Sequence, residues 1–155
     1  MPEAGIRVDD LSGEGVIALL REHLADMYAT SPPQSVHALD VEGLKQPAIT
    51  FWCLEEHGDV LGCVALKELD PSHGEIKSMR TANSARGRGI GNRLLLHLLG
   101  EARRRGYRRL SLETGAEDFF LPARRLYEKH GFGYCEPFAD YQPDPNSRFM
   151  SLAIG

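Results

Sequence analysis

The sequence predicts an α/β fold in which a mixed β-sheet carries helices on both of its faces. Three observations support this prediction. Segments that alternate apolar and polar residues, as strands do, occur along the chain, and segments with helical spacing of apolar residues lie between them. The resulting order is β-α-α-β-β-β-α-β-α-β-β, and a sheet between helices would bury all these apolar faces. The length of 155 residues and the 42% apolar content suit one domain over residues 1–155.

The first half of the chain has the pattern β-α-α-β-β-β. Its four strands are predicted at residues 5–9, 49–54, 60–66 and 75–81. Ser12 is the expected N-cap of the first helix, in which apolar residues recur at helical spacing over residues 16–28. The two prolines at 32–33 end this helix, because proline cannot continue it. A short second helix is predicted at residues 40–45.

The second half has the pattern α-β-α-β-β. Its first helix follows Gly89 and has one apolar face, formed by Ile90, Leu94, Leu95, Leu98 and Ala102. The arginines at 103–105 complement the negative end of the helix dipole, and Gly106 supplies a left-handed C-terminal residue. The next helix has Pro122 in its first turn and ends at Gly131. Strands are predicted at residues 110–114, 132–136 and 148–154.

Composition and charge argue against several classes of protein. The formal net charge of −4 disfavours a dedicated nucleic-acid-binding protein, because such proteins usually carry a basic surplus. No stretch approaches the roughly 18 apolar residues that a membrane span needs. The three cysteines show no metal-ligand spacing, and neither a zinc-protease nor a serine-hydrolase motif occurs, so no metal is expected. Residues 1–5 lack the features of a secretion signal, and we expect a cytoplasmic protein.

The segment at residues 86–91 carries the strongest functional signal. Its glycines occupy alternate positions: Gly87, Gly89 and Gly91. They allow a tight turn and a close approach of ligand to backbone, and the following helix N-terminus attracts anions. Arg86 and Arg88 add positive charge suited to phosphate. The segment fits neither the dinucleotide motif, which requires glycine where Asn92 stands, nor the P-loop. The alternative is a glycine-rich turn with exposed arginines and no ligand.

Three segments together resemble a known family: Arg86-x-x-Gly89-x-Gly91, Glu75-Ile76-Lys77-Ser78-Met79-Arg80-Thr81, and Leu126-Tyr127-Glu128-Lys129-His130-Gly131-Phe132. They are similar, in register, to the R/Q-x-x-G-x-G/A signature, the fourth strand and the L-Y-x-x-x-G-F segment of the GNAT superfamily of N-acetyltransferases. Within it, the chain looks most like a bacterial subgroup often labelled indole-acetate acetyltransferase. The resemblance implies a single GNAT-like domain with a mostly antiparallel sheet of about seven strands.

The resemblance also implies acetyl-CoA as co-substrate. The backbone of Met79 and Thr81 would pair with the pantetheine arm as if it were an added strand. The pyrophosphate would lie in the turn, and the strand ending at Thr114 would diverge from the fourth strand to leave a cleft. The family often has an asparagine where Phe120 stands here. The residues implied in cofactor binding are Met79, Arg80, Thr81, Arg86, Gly87, Arg88, Gly89, Ile90, Gly91, Asn92 and Phe120.

Two side chains match catalytic residues of the family. Tyr127 matches the tyrosine that protonates the thiolate of CoA; the alternative is a tyrosine packed on the inner face of its helix. Glu75 matches a glutamate that acts as general base in some members; the alternative is a solvated carboxylate at a strand end. Strand alternation predicts that Glu75 and Thr81 share one face. His37 is a candidate acceptor contact, or else an isolated surface histidine.

The sequence therefore predicts an enzyme that moves an acetyl group to a primary amine of a small molecule or peptide, by direct attack in a ternary complex. A catalytically silent acyl-CoA-binding module with a sensing role is the alternative, because its binding motif would look identical. A nucleic-acid-binding module is disfavoured, because the arginine run already has an explanation as a helix end. The oligomeric state stays open, a homodimer included.

Overall fold

The computed structural model describes residues 5–154. The predicted order of strands and helices is confirmed. The strands are β1 (Gly5–Val8), β2 (Ile49–Glu56), β3 (Asp59–Asp70), β4 (His73–Thr81), β5 (Arg109–Gly115), β6 (Gly133–Tyr134) and β7 (Ser147–Ala153). The helices are α1 (Glu14–Thr30), α2 (Val41–Leu44), α3 (Ile90–Arg104) and α4 (Leu121–Lys129). Short 3₁₀ turns at residues 33–35, 83–85 and 118–120 were not predicted.

The seven strands form one mixed sheet in the order β1-β2-β3-β4-β5-β7-β6. Neighbouring strands are antiparallel except for β4 and β5, which run parallel. These two strands pair over four residue pairs, from His73 opposite Arg109 to Ile76 opposite Leu112. Beyond that point β4 continues to Thr81 and β5 to Gly115 without further pairing between them. The predicted divergence of the two strands is thus confirmed, and it opens a cleft in the middle of the sheet.

Helix α3 has the predicted apolar face. All five residues named from the sequence are buried: Ile90, Leu94, Leu95, Leu98 and Ala102. Arg103 and Arg104 lie in the last turn, and Gly106 has a φ of +82°, in the left-handed region. The basic run is therefore a helix end, where cations interact favourably with the dipole. This helix packs on the sheet face to which Gly62 of β3 belongs.

Several element ends differ from the prediction, most of all those of β3, which continues to Asp70 rather than ending at residue 66, of α1 and of β6. Gly13, not Ser12, is the N-cap residue of α1, and no side chain caps that helix. The Ser12 hydroxyl donates instead to a carboxylate oxygen of Asp10 at 2.5 Å, so it is occupied by a local turn. Strand β6 has two residues rather than the predicted five. Pro137 follows shortly after it and has no N–H to donate to a neighbouring strand, which limits the extension of pairing.

A bulge in β4 overturns the prediction that Glu75 and Thr81 share a face. Between the pair Ala65–Lys77 and the pair Cys63–Arg80, β4 advances three residues while β3 advances two. Ser78, within this step, has a φ of +53°. The extra residue reverses the alternation of side chains. Glu75 therefore faces the side of the sheet that α1 covers, whereas Thr81 faces the side that α3 covers.

The close contact between β3 and α3 depends on the missing side chain at Gly62. A Cβ atom there would lie 2.8 Å from Ile90 Cγ2, 2.9 Å from the Arg80 carbonyl oxygen and 2.9 Å from Leu94 Cδ1. We expect Gly62→Ala to lower the free energy of unfolding by about 1–2 kcal/mol, as overpacking of a dense core does. Denaturant titration measures this.

Gly100→Ala is the matched control for this prediction, because Gly100 lies on α3 with no neighbouring atom within 4 Å of the added Cβ. It should keep or slightly raise stability, since alanine favours helix over glycine. Equal stability of Gly62→Ala and the unmodified protein would show that the helix can move away from the sheet at little cost.

Candidate active site

A cavity of about 610 Å³ lies where β4 and β5 diverge. One end is formed by the glycine-rich turn at 86–91 and the start of α3. The other end is formed by the segment after α1, at residues 35–38, together with Tyr141 and Asn146. The second half of β4, the end of β5 and helix α4 form its walls. The divergence of two strands thus produces one cleft that is lined both by the glycine-rich turn and by residues 35–38, Tyr141 and Asn146.

The turn has the backbone geometry that its glycines allow. Gly87 and Gly89 have φ values of +81° and +77°, a region that other L-residues rarely adopt. Gly89 is the residue before α3, and no side chain caps that helix. The free N–H groups of the first turn of α3 therefore remain available to an anion. Gly91 lines the cavity where α3 meets α4, and a Cβ there would lie 3.2 Å from Leu126 Cδ2.

The two arginines of the turn lie in different places. Arg86 lines the cavity, with its guanidinium 6.0 Å from the centre of the Phe119 ring. Arg88 does not line it, and its Nη2 donates to both carboxylate oxygens of Glu56 at 3.0 Å. The side chain predicted to bind the cofactor at position 88 is therefore directed to a surface ion pair. Only the backbone of Arg88 remains part of the turn.

The Arg80 side chain also has a structural partner. Its Nη2 donates to Glu22 Oε1 at 2.7 Å and to Asp26 Oδ2 at 2.6 Å, both on α1, and the side chain is buried. This guanidinium holds α1 against the sheet, and Arg80 also lines the cavity.

Tyr127 is 4% exposed and lines the cavity from α4. Its ring packs against Phe132, with ring centres 5.6 Å apart. Burial raises the pKa of the phenol above its ordinary value, so the hydroxyl is protonated at neutral pH. Within residues 5–154 nothing forms a hydrogen bond with this hydroxyl. A protonated donor without a protein partner therefore borders the cleft.

Glu75 is buried, at 2% exposure, so the alternative of a solvated carboxylate is wrong. Its Oε2 accepts a hydrogen bond from the Tyr141 hydroxyl at 2.5 Å and one from Lys77 Nζ at 3.2 Å. Lys77 Nζ also donates to the Tyr141 oxygen at 3.0 Å. These three side chains form a closed polar triangle on the wall of the cavity, which we call the Glu75 triangle.

Glu113 is a cavity residue that the sequence analysis missed. It lies near the end of β5, and its Oε2 accepts a hydrogen bond from the Ser147 hydroxyl at 2.7 Å. Burial raises the pKa of its carboxyl to about 7, and the nearby carboxylates Glu75 and Asp144 act in the same direction. In the sequence, Glu113 is a single carboxylate that directly follows Leu110-Ser111-Leu112. Nothing local distinguished it from an ordinary solvated strand position.

The other predicted site residues also line the cavity. His37 lies against Tyr141, with ring centres 5.1 Å apart, so it is not an isolated surface histidine. Asn92 Oδ1 lies 2.7 Å from His130 Nε2. Phe120 is buried and packs over Gly115, where a Cβ would lie 2.1 Å from its ring. Met79, Thr81 and Ile90 complete the set.

Sequence comparison identifies the family. The profile of the acetyltransferase (GNAT) family matches residues 16–132. The chain belongs to the GNAT family of acetyltransferases. YsnE of Bacillus subtilis, described as an uncharacterized N-acetyltransferase, is 56% identical over 149 residues, which cover 96% of this GNAT chain and 99% of YsnE. A protein of Azospirillum brasilense named IAA acetyltransferase is 38% identical over 158 residues, covering 99% of this chain and all of that protein.

Solved structures show the same GNAT fold. A Klebsiella pneumoniae protein, whose description assigns it to the acyl-CoA N-acyltransferases, superposes with a TM-score of 0.80 at 27% identity and covers 98% of each chain. YncA of Salmonella typhimurium, solved with its cofactor acetyl-CoA, has a TM-score of 0.72 at 19% identity. The match covers 98% of this chain and 94% of YncA. Within the described part of this GNAT chain, no helix has the length and apolarity of a membrane span, and no group of three or more potential metal ligands occurs.

Proposed function

We propose that this GNAT protein transfers the acetyl group of acetyl-CoA to a primary amine of a small molecule or peptide, by direct attack in a ternary complex. One observation carries the proposal: a single cavity connects the glycine-rich turn to the unpartnered hydroxyl of Tyr127 and to two carboxylates. An anion site alone would suit many ligands. An anion site joined to a proton donor and proton acceptors suits acyl transfer to an amine.

The residues present fit acetyl-CoA. From Lys77 to Thr81, β4 has no strand partner on its β5 side within the described chain, so this edge can take an extended arm as an added strand. The N–H groups at the start of α3 and the Arg86 guanidinium fit a pyrophosphate. Phe120 offers an apolar wall at the position where the family resemblance implies an asparagine. The solved structure of YncA with acetyl-CoA supports the same use of this fold.

The chain's own groups would move the protons. Acetyl-CoA supplies an acetyl group activated as a thioester. Tyr127 Oη holds a proton that it can give to a leaving thiolate, and burial keeps that proton in place at neutral pH. A carboxylate at the other end of the cavity would accept the proton that an ammonium ion must lose before it attacks. The apolar walls limit water around both groups.

Two measurements on the purified protein test the proposal. Calorimetry should show that acetyl-CoA binds, and release of CoA should depend on an added amine, with the acetylated product identified by mass spectrometry. A mixed panel of amines, amino acids and short peptides serves as acceptors, and reactions without protein correct for spontaneous transfer. Binding without transfer to any acceptor would favour the silent acyl-CoA-binding module instead. Absence of binding would refute both functions.

A further inference from the structure

Two carboxylates line the cavity, and Glu75 is the less available of them. Its Oε2 accepts from both Tyr141 and Lys77, and the residue is almost fully buried. A proton placed on this carboxylate would remove the ion pair that compensates the buried Lys77 ammonium. Leaving a buried charge without its partner is strongly unfavourable. The Glu75 triangle therefore has a structural role in the wall of the cavity and is poorly suited to proton transfer.

Asp144, beside the end of the cavity formed by residues 35–38, Tyr141 and Asn146, has both carboxylate oxygens in hydrogen bonds. One of its oxygens accepts from the Ser35 hydroxyl at 2.6 Å, and the other accepts from the backbone N–H of Asn146 at 2.8 Å. The residue does not line the cavity. Its hydrogen bonds instead hold the loop before β7 against the segment after α1. Asp144 thus shapes the part of the cavity that Ser35 and Asn146 line.

Glu113 differs from both. It lines the cavity from the β5 side, facing the cleft that β4 borders on the other side. Its Oε2 accepts from Ser147, whereas Oε1 accepts no hydrogen bond from the described chain. Ser147 thus orients the carboxylate while leaving one oxygen for a ligand. Glu75 Oε1 likewise accepts no hydrogen bond from residues 5–154, but Glu75 is ion-paired with the buried Lys77, so Glu113 is the cavity carboxylate that can take a proton without leaving a buried cation unpaired.

We propose that Glu113 receives the acceptor as a primary ammonium ion and takes its proton at Oε1. The inference rests on the proposed function and names its proton acceptor and its acceptor class. The step is balanced: the ammonium nitrogen gives one proton to the carboxylate, which leaves a neutral carboxylic acid and a neutral amine with a free electron pair. Two opposite charges in a partly buried site become two neutral groups, so burial favours the products.

The surroundings of Glu113 suit this role. Burial raises the pKa of its carboxyl to about 7, the Ser147 hydrogen bond and the Lys77 ammonium lower it, and Glu75 and Asp144 raise it. Burial raises the pKa of the neighbouring Tyr141 phenol, and the Glu75 and Glu113 carboxylates raise it further. A base with a pKa near the working pH combines a substantial ionised fraction with sufficient basicity. Glu113 is ionised above about pH 7 and becomes protonated below it.

The first test is the pH dependence of acetyl transfer in three proteins: the unmodified chain, Glu113→Gln and the matched variant Glu75→Gln. With butylamine or another panel acceptor, kcat/KM of the unmodified protein should rise about tenfold per pH unit below about pH 7. Glu113→Gln should be slower at pH 8 by roughly 10²–10⁴-fold and should lose the levelling-off near pH 7, because its kcat/KM should then follow the fraction of free amine. It should recover partly towards pH 10, where free amine becomes abundant. Glu75→Gln should keep the limb and move it to lower pH, because a charge that raises the Glu113 pKa is gone.

The second test measures binding without turnover. The CoA-loaded protein is titrated calorimetrically with butylamine and with butanol, which has the same chain but no charge. Unmodified protein should prefer butylamine, and its affinity should rise about tenfold from pH 6 to pH 8 as the carboxyl ionises. Glu113→Gln should show no preference and no pH dependence. Circular dichroism verifies that each variant is folded.

The outcomes separate this inference from the proposed function. Transfer by the unmodified protein, with Glu113→Gln retaining both its rate and the levelling-off near pH 7, would overturn the inference and leave the function intact. Loss of that levelling-off in Glu75→Gln instead would assign the base to Glu75. Equal binding of butylamine and butanol would also overturn the inference. No transfer to any acceptor, with charge-dependent binding intact, would refute the function while supporting the ammonium site.

Discussion

Replacing Tyr127 with phenylalanine should lower turnover by about 10²–10⁴-fold, the range over which a general acid typically contributes. The change removes the hydroxyl that borders the cavity and keeps the ring that packs against Phe132. Because this hydroxyl has no hydrogen-bond partner in the described chain, its loss leaves no protein group unsatisfied. Stability and acetyl-CoA affinity should therefore change little, and the effect should fall on the chemical step.

Single-turnover measurement with bound acetyl-CoA is the appropriate assay, since it isolates chemistry from product release. Tyr107→Phe is a matched control: Tyr107 is also buried, but its hydroxyl donates to Glu68 at 2.7 Å, away from the cavity. The control should lose some stability and keep its turnover. If Tyr127→Phe transferred acetyl groups at the full rate under these conditions, the tyrosine would be a packing residue only.

Replacing Gly89 with valine should weaken the binding of acetyl-CoA by roughly 2 kcal/mol or more, about 30-fold in the dissociation constant. A Cβ at Gly89 meets no protein atom within 4 Å, so the valine would point into open space beside the cavity. There it would obstruct an anion approaching the backbone N–H groups. The backbone φ of +77° is also unfavourable for a β-branched residue, and relaxation of the turn would displace those groups.

Gly58→Val is the control that distinguishes backbone strain at a positive φ from obstruction of the ligand by the valine side chain. Gly58 has a φ of +85° and equally open surroundings, but it lies in the turn between β2 and β3 and does not line the cavity. This variant should lose stability and keep its affinity for acetyl-CoA, as calorimetry would measure. Unchanged acetyl-CoA affinity in a folded Gly89→Val protein would contradict the assignment of the turn as the pyrophosphate site.

The features predictable from the sequence were those encoded locally. The spacing from Ile90 to Ala102 defines the buried face of α3 without reference to any other element. The glycines of the turn predict its positive φ values, because glycine adopts them readily and other residues rarely do. The element order then limits which strands can be parallel neighbours, because a parallel pair needs a crossover connection. Helix α3 provides that connection between β4 and β5.

Pairings across long stretches of chain could not be predicted in the same way. The partner of Arg88 lies 32 residues earlier, and the partners of Arg80 lie 54 and 58 residues earlier. The local sequence around either arginine therefore does not predict its ion pair. Glu113 was missed for the same reason. Its importance depends on β4 diverging from β5 and on Ser147 reaching it from a neighbouring strand, both of which are properties of the assembled sheet.

The bulge at Ser78 makes the length of β4 as consequential as its composition. With one residue fewer, regular alternation would return, and whichever half of the strand moved would rotate by half a turn. If the half after the bulge moved, Arg80 would leave Glu22 and Asp26 and enter the apolar layer beneath α3. If the other half moved, Glu75 and Lys77 would leave the wall of the cavity. Deletion of one residue here would therefore disrupt either the contacts of Arg80 with α1 or the cavity wall at Glu75 and Lys77. A substitution at Ser78 would leave both halves of the strand facing as they do.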